Sequence, residues 1–249
     1  MFTDSHCHLY DGYYDNLDNI LKISEDNKVN RFINNGCDSN TNKEVLDKVS
    51  KYDNMYGTLG IHTEYVDNYD DEDILFIKSN LNNKKIIAIG EIGLDYHYTK
   101  ENKDKQIELF ETQLEIAEEE NIPVIIHSRE ATLDTINTLK KYNVRGVIHS
   151  FSGSLETAKE YMKLGFVIGV NGVITFKNAN LKDVIKEISL EHLVLETDSP
   201  YLTPEPFRGK QNNPGHILDI AKYVSELKNI SLEKLSNITN KNINKMFNI

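Results

Sequence analysis

The sequence predicts a (β/α)8 barrel, and three observations carry that prediction. Eight short apolar runs alternate with stretches of helical periodicity, the pattern of a parallel sheet. Runs such as Ile86-Ile87-Ala88-Ile89 and Val124-Ile125-Ile126 are apolar throughout, as parallel strands buried on both faces are. Polar residues gather at the C-terminal ends of many runs rather than at one crevice. A chain of 249 residues has the usual size of such a barrel, so one domain spanning 1–249 is expected. An open doubly wound sheet would share the alternation, but no Gly-rich phosphate loop follows the first run.

The first strand, 2–8, contains Asp4-Ser5-His6-Cys7-His8. Strand alternation sends both imidazoles to one face, where they can grip one metal ion, and sends Cys7 into packed surroundings on the other. Strands follow at 31–36, at 55–62, ending on His62, and at 85–91, with Glu91 placed just after the fourth strand between Gly90 and Gly93. The fifth, 123–127, ends on His127, and the sixth, 146–149, on His149. The seventh covers 166–170, and the eighth, 193–198, carries Glu196 and ends on Asp198. Residues 102–120 repeat Ile107, Phe110, Leu114 and Ala117 at helical spacing, as an outer barrel helix should. Four of the five prolines fall between Pro200 and Pro214. That stretch reads as a stiff loop presenting Arg208 and Lys210 over the barrel mouth. Helices at 216–227 and 232–246 close the chain.

A charged fraction of 27% and a hydrophobic fraction of 39% exclude disordered and membrane-embedded classes. No apolar run approaches the roughly 20 residues of a spanning helix. Signal cleavage would remove His6 and His8, so a cytosolic protein without membrane partners is expected. With only Cys7 and Cys37, no disulfide is expected. The net charge of −11 argues against coating nucleic acid by bulk electrostatics. It leaves room for an enzyme whose cations, held by carboxylates, supply positive charge locally.

In a barrel, strand ends converge although they lie far apart in sequence. Five of the eight histidines, His6, His8, His62, His127 and His149, sit at such ends, while His97, His192 and His216 lie in loop or helix-start contexts. The Glu91 carboxylate has two oxygens and can bridge two cations. Asp198 and Glu196 share a face; Asp198 is assigned to the mouth, where it meets metal and water, and Glu196 to one layer deeper as its support. Of only four arginines, Arg129 and Arg208 fall in these segments, where a planar fork suits phosphate or carboxylate. Tyr96, Phe151, Tyr201 and Phe207 either stack on bases or pack the loops.

The blocks Asp4-Ser5-His6-Cys7-His8, Gly90-Glu91-Ile92-Gly93-Leu94-Asp95, His127-Ser128-Arg129, His149-Ser150-Phe151-Ser152-Gly153 and Glu196-Thr197-Asp198-Ser199-Pro200-Tyr201-Leu202 closely resemble the motifs of the TatD family of metal-dependent hydrolases, within the amidohydrolase superfamily. The stretch from Pro206 to Pro214 adds another matching block. The resemblance implies one or two divalent cations and DNase activity. By position, His6, His8, Glu91 and Asp198 would hold one cation, and Glu91, His127 and His149 the other. The identity, Mg, Mn or Zn, is open. One departure is Gly60-Ile61-His62-Thr63-Glu64, where the family shows proline after the histidine and often a second histidine. His62 survives as a candidate phosphate contact, and Glu64 adds negative charge near the mouth.

The expected reaction is hydrolysis of DNA phosphodiesters from 3′ ends, on single-stranded DNA or at 3′ ends, with no obligate protein partner. Asp198 would take the proton of the attacking water, Glu91 would hold the cations, and His62, Arg129 and Arg208 would bind phosphate. The alternative is ester or amide hydrolysis by the same centre, for instance on an aminoacyl ester of tRNA. A non-catalytic nucleic-acid-binding protein is the third reading, and the acidic charge opposes it.

Overall fold

The computed structural model describes residues 1–97 and 99–249. Its eight strands are β1 (Phe2–Cys7), β2 (Val29–Asn35), β3 (Met55–Leu59), β4 (Ile86–Asp95), β5 (Val124–Arg129), β6 (Gly146–Ile148), β7 (Phe166–Val170) and β8 (Leu193–Leu195). They form one sheet in sequence order, with every neighbouring pair parallel. The ring closes between β1 and the chain just after β8. There Cys7 bridges Ser199, Asp198 N donates to His6 O at 2.9 Å, and His8 N donates to Ser199 O at 2.8 Å. The closure is therefore made by the two segments that carry the first histidines and Asp198.

Helices α1 (Leu17–Asp26), α2 (Ser39–Lys51), α3 (Asp71–Asn80), α4 (Lys103–Glu119), α5 (Thr132–Leu139), α6 (Leu155–Lys163), α7 (Leu181–Glu187) and α8 (Ile217–Lys228) link and surround the strands. Their starts are chemically marked. Asp38 forms a capping box with Thr41, and Asp70 one with Asp73, each satisfying amides that the first turn leaves open. The main core lies between sheet and helices and includes Phe32, Leu59, Ile89, Phe110, Leu114 and Phe166, all essentially inaccessible. A second cluster sits inside the barrel, where Ile33, Ile87, Ile125, Val147, Val167 and Val194 meet Ile243, Met246 and Phe247 of the last helix, α9 (Leu232–Phe247). That apolar plug is drawn from the early part of most strands, so the polar residues are left at the opposite, C-terminal end.

Three strands depart from the expected bounds by three residues or more. β4 does not stop at Glu91 but continues to Asp95, pairing with β5 through Ile92–Ile126, Gly93–His127 and Asp95–Arg129. β3 ends at Leu59, three residues short of His62, and β8 ends at Leu195, three short of Asp198. Asp198 has φ +57, a left-handed turn that takes the chain out of the strand and that Asp tolerates better than most residues. Gly93 explains how β4 can continue. At φ +144 it accepts a conformation closed to other residues, and an added Cβ would stand 1.9 Å from His127 O. Gly93→Ala is therefore expected to force β5 away at His127 and cost about 2–5 kcal/mol, the sum of backbone strain and overpacking. Urea denaturation checks this; an unchanged midpoint would refute the account.

Candidate metal centre

His6 and His8 project from one face of β1, as strand alternation requires, while Cys7 is fully buried on the other with its Sγ donating to Ile33 O at 3.4 Å. The two Nε2 atoms lie 3.2 Å apart. Glu91 Oε2 is 3.2 Å from His6 Nε2 and 3.7 Å from His8 Nε2, and Asp198 Oδ1 is 3.7 and 3.4 Å from the same atoms. A tetrahedron of ligands held about 2.1 Å from a cation has edges of about 3.4 Å. Five separations in this quartet run from 3.2 to 3.7 Å, so the donor set fits a divalent cation.

The second oxygen of Glu91 faces a different set of nitrogens. Oε1 lies 3.0 Å from His127 Nδ1, 3.4 Å from His149 Nε2 and 3.7 Å from His62 Nε2. Burial opposes ionisation of Glu91, but His149 and His6 hold its carboxyl well below the ordinary range, and His149 and His8 lower Asp198 likewise. Both groups are thus carboxylates in a buried pocket where histidines surround them, an arrangement that calls for cations.

Neighbouring groups set the tautomers. His8 Nδ1 faces Asn35 O at 3.2 Å and the Tyr10 hydroxyl at 3.0 Å, so Nδ1 carries a hydrogen and Nε2 is the nitrogen turned to the quartet. His127 works the other way round: Nε2 donates to Asp95 Oδ2 at 3.0 Å, which leaves Nδ1 for the centre. His149 Nδ1 is 3.2 Å from Glu196 Oε1, which also accepts from Ser150 N at 2.5 Å. Glu196 fits because Gly169 has no side chain; a Cβ there would stand 2.4 Å from Oε2. His62 Nδ1 accepts from Glu64 N at 3.2 Å, so Nε2 carries the hydrogen and points it into the cavity. Burial and the neighbouring His127 push His62 down to about 4, making it a neutral donor at physiological pH.

Asp4 positions Asp198 at a distance. Its Oδ1 accepts from Thr197 N at 2.9 Å and His6 N at 3.2 Å, and its Oδ2 from the Thr197 hydroxyl at 2.5 Å. Burial raises the Asp4 carboxyl to about 8, against the pull of those donors.

His8, His62, Glu91, Asp95, His127, His149 and Asp198 line a cavity of about 320 Å3, together with Tyr10, Tyr13, Cys37, Glu64, Tyr65 and Tyr201. Arg129 lines it too, from the end of β5. Arg208 is not among the lining residues; its guanidinium lies 4.2 Å over the Phe176 ring. Tyr96 and Phe151 are buried and Phe207 packs 4.8 Å from His216, so of the four aromatic candidates only Tyr201 opens onto the cavity. Asp95, which orients His127, has no role on the sequence alone. Its signal was present: once β4 runs past Glu91, alternation puts Glu91, Gly93 and Asp95 on one face. Asp95→Ala is expected to weaken metal binding about 10–100-fold by releasing the His127 ring. Calorimetric metal titration checks this, and an unaltered affinity would show that His127 needs no such partner.

The sequence model described as TatD related DNase matches residues 3–248. The "uncharacterized metal-dependent hydrolase YabD" of Bacillus subtilis is 40% identical, covering 100% of both chains. The similarly described YcfH of Escherichia coli is 36% identical over 99% of this chain and 96% of its own. Among solved structures, YjjV, a TatD homolog from Escherichia coli, superposes with a TM-score of 0.93 at 28% identity, covering 100% of this chain and 98% of that one. A TatD family hydrolase from Entamoeba histolytica gives 0.87, also at 28%, covering 99% and 97%. With the family's model matched over nearly every residue, and relatives of this identity aligned from end to end, the chain belongs to the TatD family of metal-dependent hydrolases.

Proposed function

We propose that this chain, acting as one catalytic domain over 1–249, is a deoxyribonuclease that removes nucleotides from the 3′ ends of DNA, single-stranded DNA above all, in the cytosol. The observation that carries this reading is the division of Glu91: one oxygen faces His6 and His8, and the other faces His127 and His149. Two divalent cations, Mg, Mn or Zn, are assigned to these two sets, with Asp198 completing the first. When bound, they supply charge at the phosphate oxygens and a lowered pKa for water.

The protein's own groups do the rest. Asp198 accepts the proton of the attacking water at its carboxylate. His62 donates its Nε2 hydrogen to a phosphate oxygen, and Arg129 offers its fork to another. Arg208, on the loop after β8, is assigned to a phosphate further along the strand. The cavity is at the small end of ligand pockets, which favours a single unpaired end over a duplex.

The test is nucleotide release from 5′-labelled single-stranded DNA by metal-stripped protein after Mg, Mn or Zn is restored. Stepwise shortening from the 3′ end, dependent on metal, is expected. Folded, metal-loaded protein that cleaves no DNA would overturn the reading and transfer the centre to an ester or amide substrate, such as an aminoacyl ester of tRNA.

A further inference from the structure

One wall of the metal cavity is built of tyrosines. Tyr10, Tyr13, Tyr65 and Tyr201 line it together with His8 and Asp198. Ring centroids are 5.3 Å apart for Tyr10 and Tyr13, and 6.2 Å apart for both Tyr13–Tyr201 and Tyr201–His8. The rings therefore run without a break from a candidate metal ligand to the outer rim. Tyr201 is 52% exposed, and it is the one exposed large hydrophobic side chain among the described residues that lines this cavity.

Two loops hold the wall in place without covering it. The Tyr13 and Tyr201 hydroxyls are 3.0 Å apart, one donating to the other, which ties the two rings together at the rim. Gln211 Nε2 donates to Tyr13 O at 2.5 Å, and the Tyr14 hydroxyl donates to Asn212 O at 3.0 Å. Asn212 Nδ2 in turn donates to Tyr201 O at 2.5 Å and to Thr197 O at 3.0 Å, next to Asp198. A ring held by its backbone and hydroxyl, with two side-chain torsions, loses little entropy when a ligand settles on it.

We infer that Tyr201, braced by Tyr13 standing at 77° to it, forms a stacking platform for the base of the nucleotide whose phosphate occupies the centre. This inference rests on the phosphodiesterase reading above. Charge favours this occupant: a chain of net charge −11 cannot retain DNA by general electrostatics, so beyond the cation site and its few arginine contacts the affinity calls for contacts indifferent to charge. A neutral, flat base meets that requirement, and every base has a face to stack. Tyr201 is then the residue that selects an unpaired end, because a base within a duplex has both faces occupied.

The test uses a short single-stranded oligonucleotide with 2-aminopurine at its 3′ end, bound to Mg-loaded Asp198→Asn protein so that it is not consumed. Stacking quenches the fluorophore, a signal that a purely structural tyrosine would not produce. Quenching is expected with Tyr201 intact, and Tyr201→Ala, placed in the same background, should abolish it and weaken binding about tenfold. Tyr201→Phe keeps the ring and should retain both. A 3′-abasic oligonucleotide should bind about tenfold more weakly than the intact one and be indifferent to Tyr201→Ala. Equal binding of intact and abasic ends, or quenching unchanged in Tyr201→Ala, would overturn the platform. If Tyr201→Ala fails to fold, the comparison of intact and abasic ends on the protein that retains Tyr201 still decides. Failure of the phosphodiesterase reading would appear separately, as absence of cleavage by the protein with Asp198 intact.

Discussion

Asp198→Asn is expected to lower turnover on DNA by about 10²–10⁴-fold, the range a positioned general base contributes, with folding retained. The folding half of this expectation follows from the backbone. Residue 198 sits at φ +57 and donates its N–H to His6 O, and asparagine adopts the left-handed conformation as readily as aspartate. The activity half follows from the carboxylate. Asp198 lies at the cavity wall beside His6 and His8, and these histidines, with His149, keep it ionised and able to accept a proton. Asparagine keeps one oxygen for a cation but has no basic site for the proton. Turnover should therefore fall further than metal content, read by elemental analysis of the same preparation. A variant with full activity would remove Asp198 from the reaction, and equal loss of metal and rate would make it a ligand only.

Glu91→Gln should have a comparably large effect through a different quantity, the number of cations bound. Glu91 is 4% exposed and its two oxygens face two separate nitrogen sets. An amide presents one oxygen and one NH2, so whichever set meets the nitrogen loses its acceptor. Bound metal is expected to fall to half or less of that in the unsubstituted protein, and activity by more than the roughly 100-fold upper range of outer-sphere substitutions. A thermal signature should accompany this. Cations that bind only the folded state raise its stability, so chelation should lower the Tm of the unsubstituted protein and lower that of Glu91→Gln much less. Full metal content in the variant would rule out the bridging role.

How much of this was legible before any coordinates depended on the range of the interaction. Alternation at 2–8 was enough to put His6 and His8 on one face and Cys7 on the other, because strand geometry is local. The apolar runs marked all eight strands, since burial on both faces leaves a composition signal in each run by itself. Strand ends were less legible. The apolar run by itself ends β4 at Glu91, whereas the missing side chain of Gly93 admits His127 O and lets the strand continue to Asp95. Arg208 shows the same limit. A loop rich in proline places it near the mouth, but the packing of its guanidinium on the Phe176 ring is a tertiary contact that the loop's composition does not record.

The sequence by itself determined the barrel and the donor types, and it put His6, His8, Glu91, His127, His149 and Asp198 toward the C-terminal side of the sheet, because each is written in a few consecutive residues. Only the tertiary structure decided that the two Glu91 oxygens face different nitrogens, and that Asp95, Glu196 and Asn35 orient the rings of His127, His149 and His8. It likewise decided that Tyr13 and Tyr201 meet across 188 positions of chain. Those facts depend on distances of a few ångströms between residues on different strands and loops. Closure of the sheet sets such distances, and no local pattern records them.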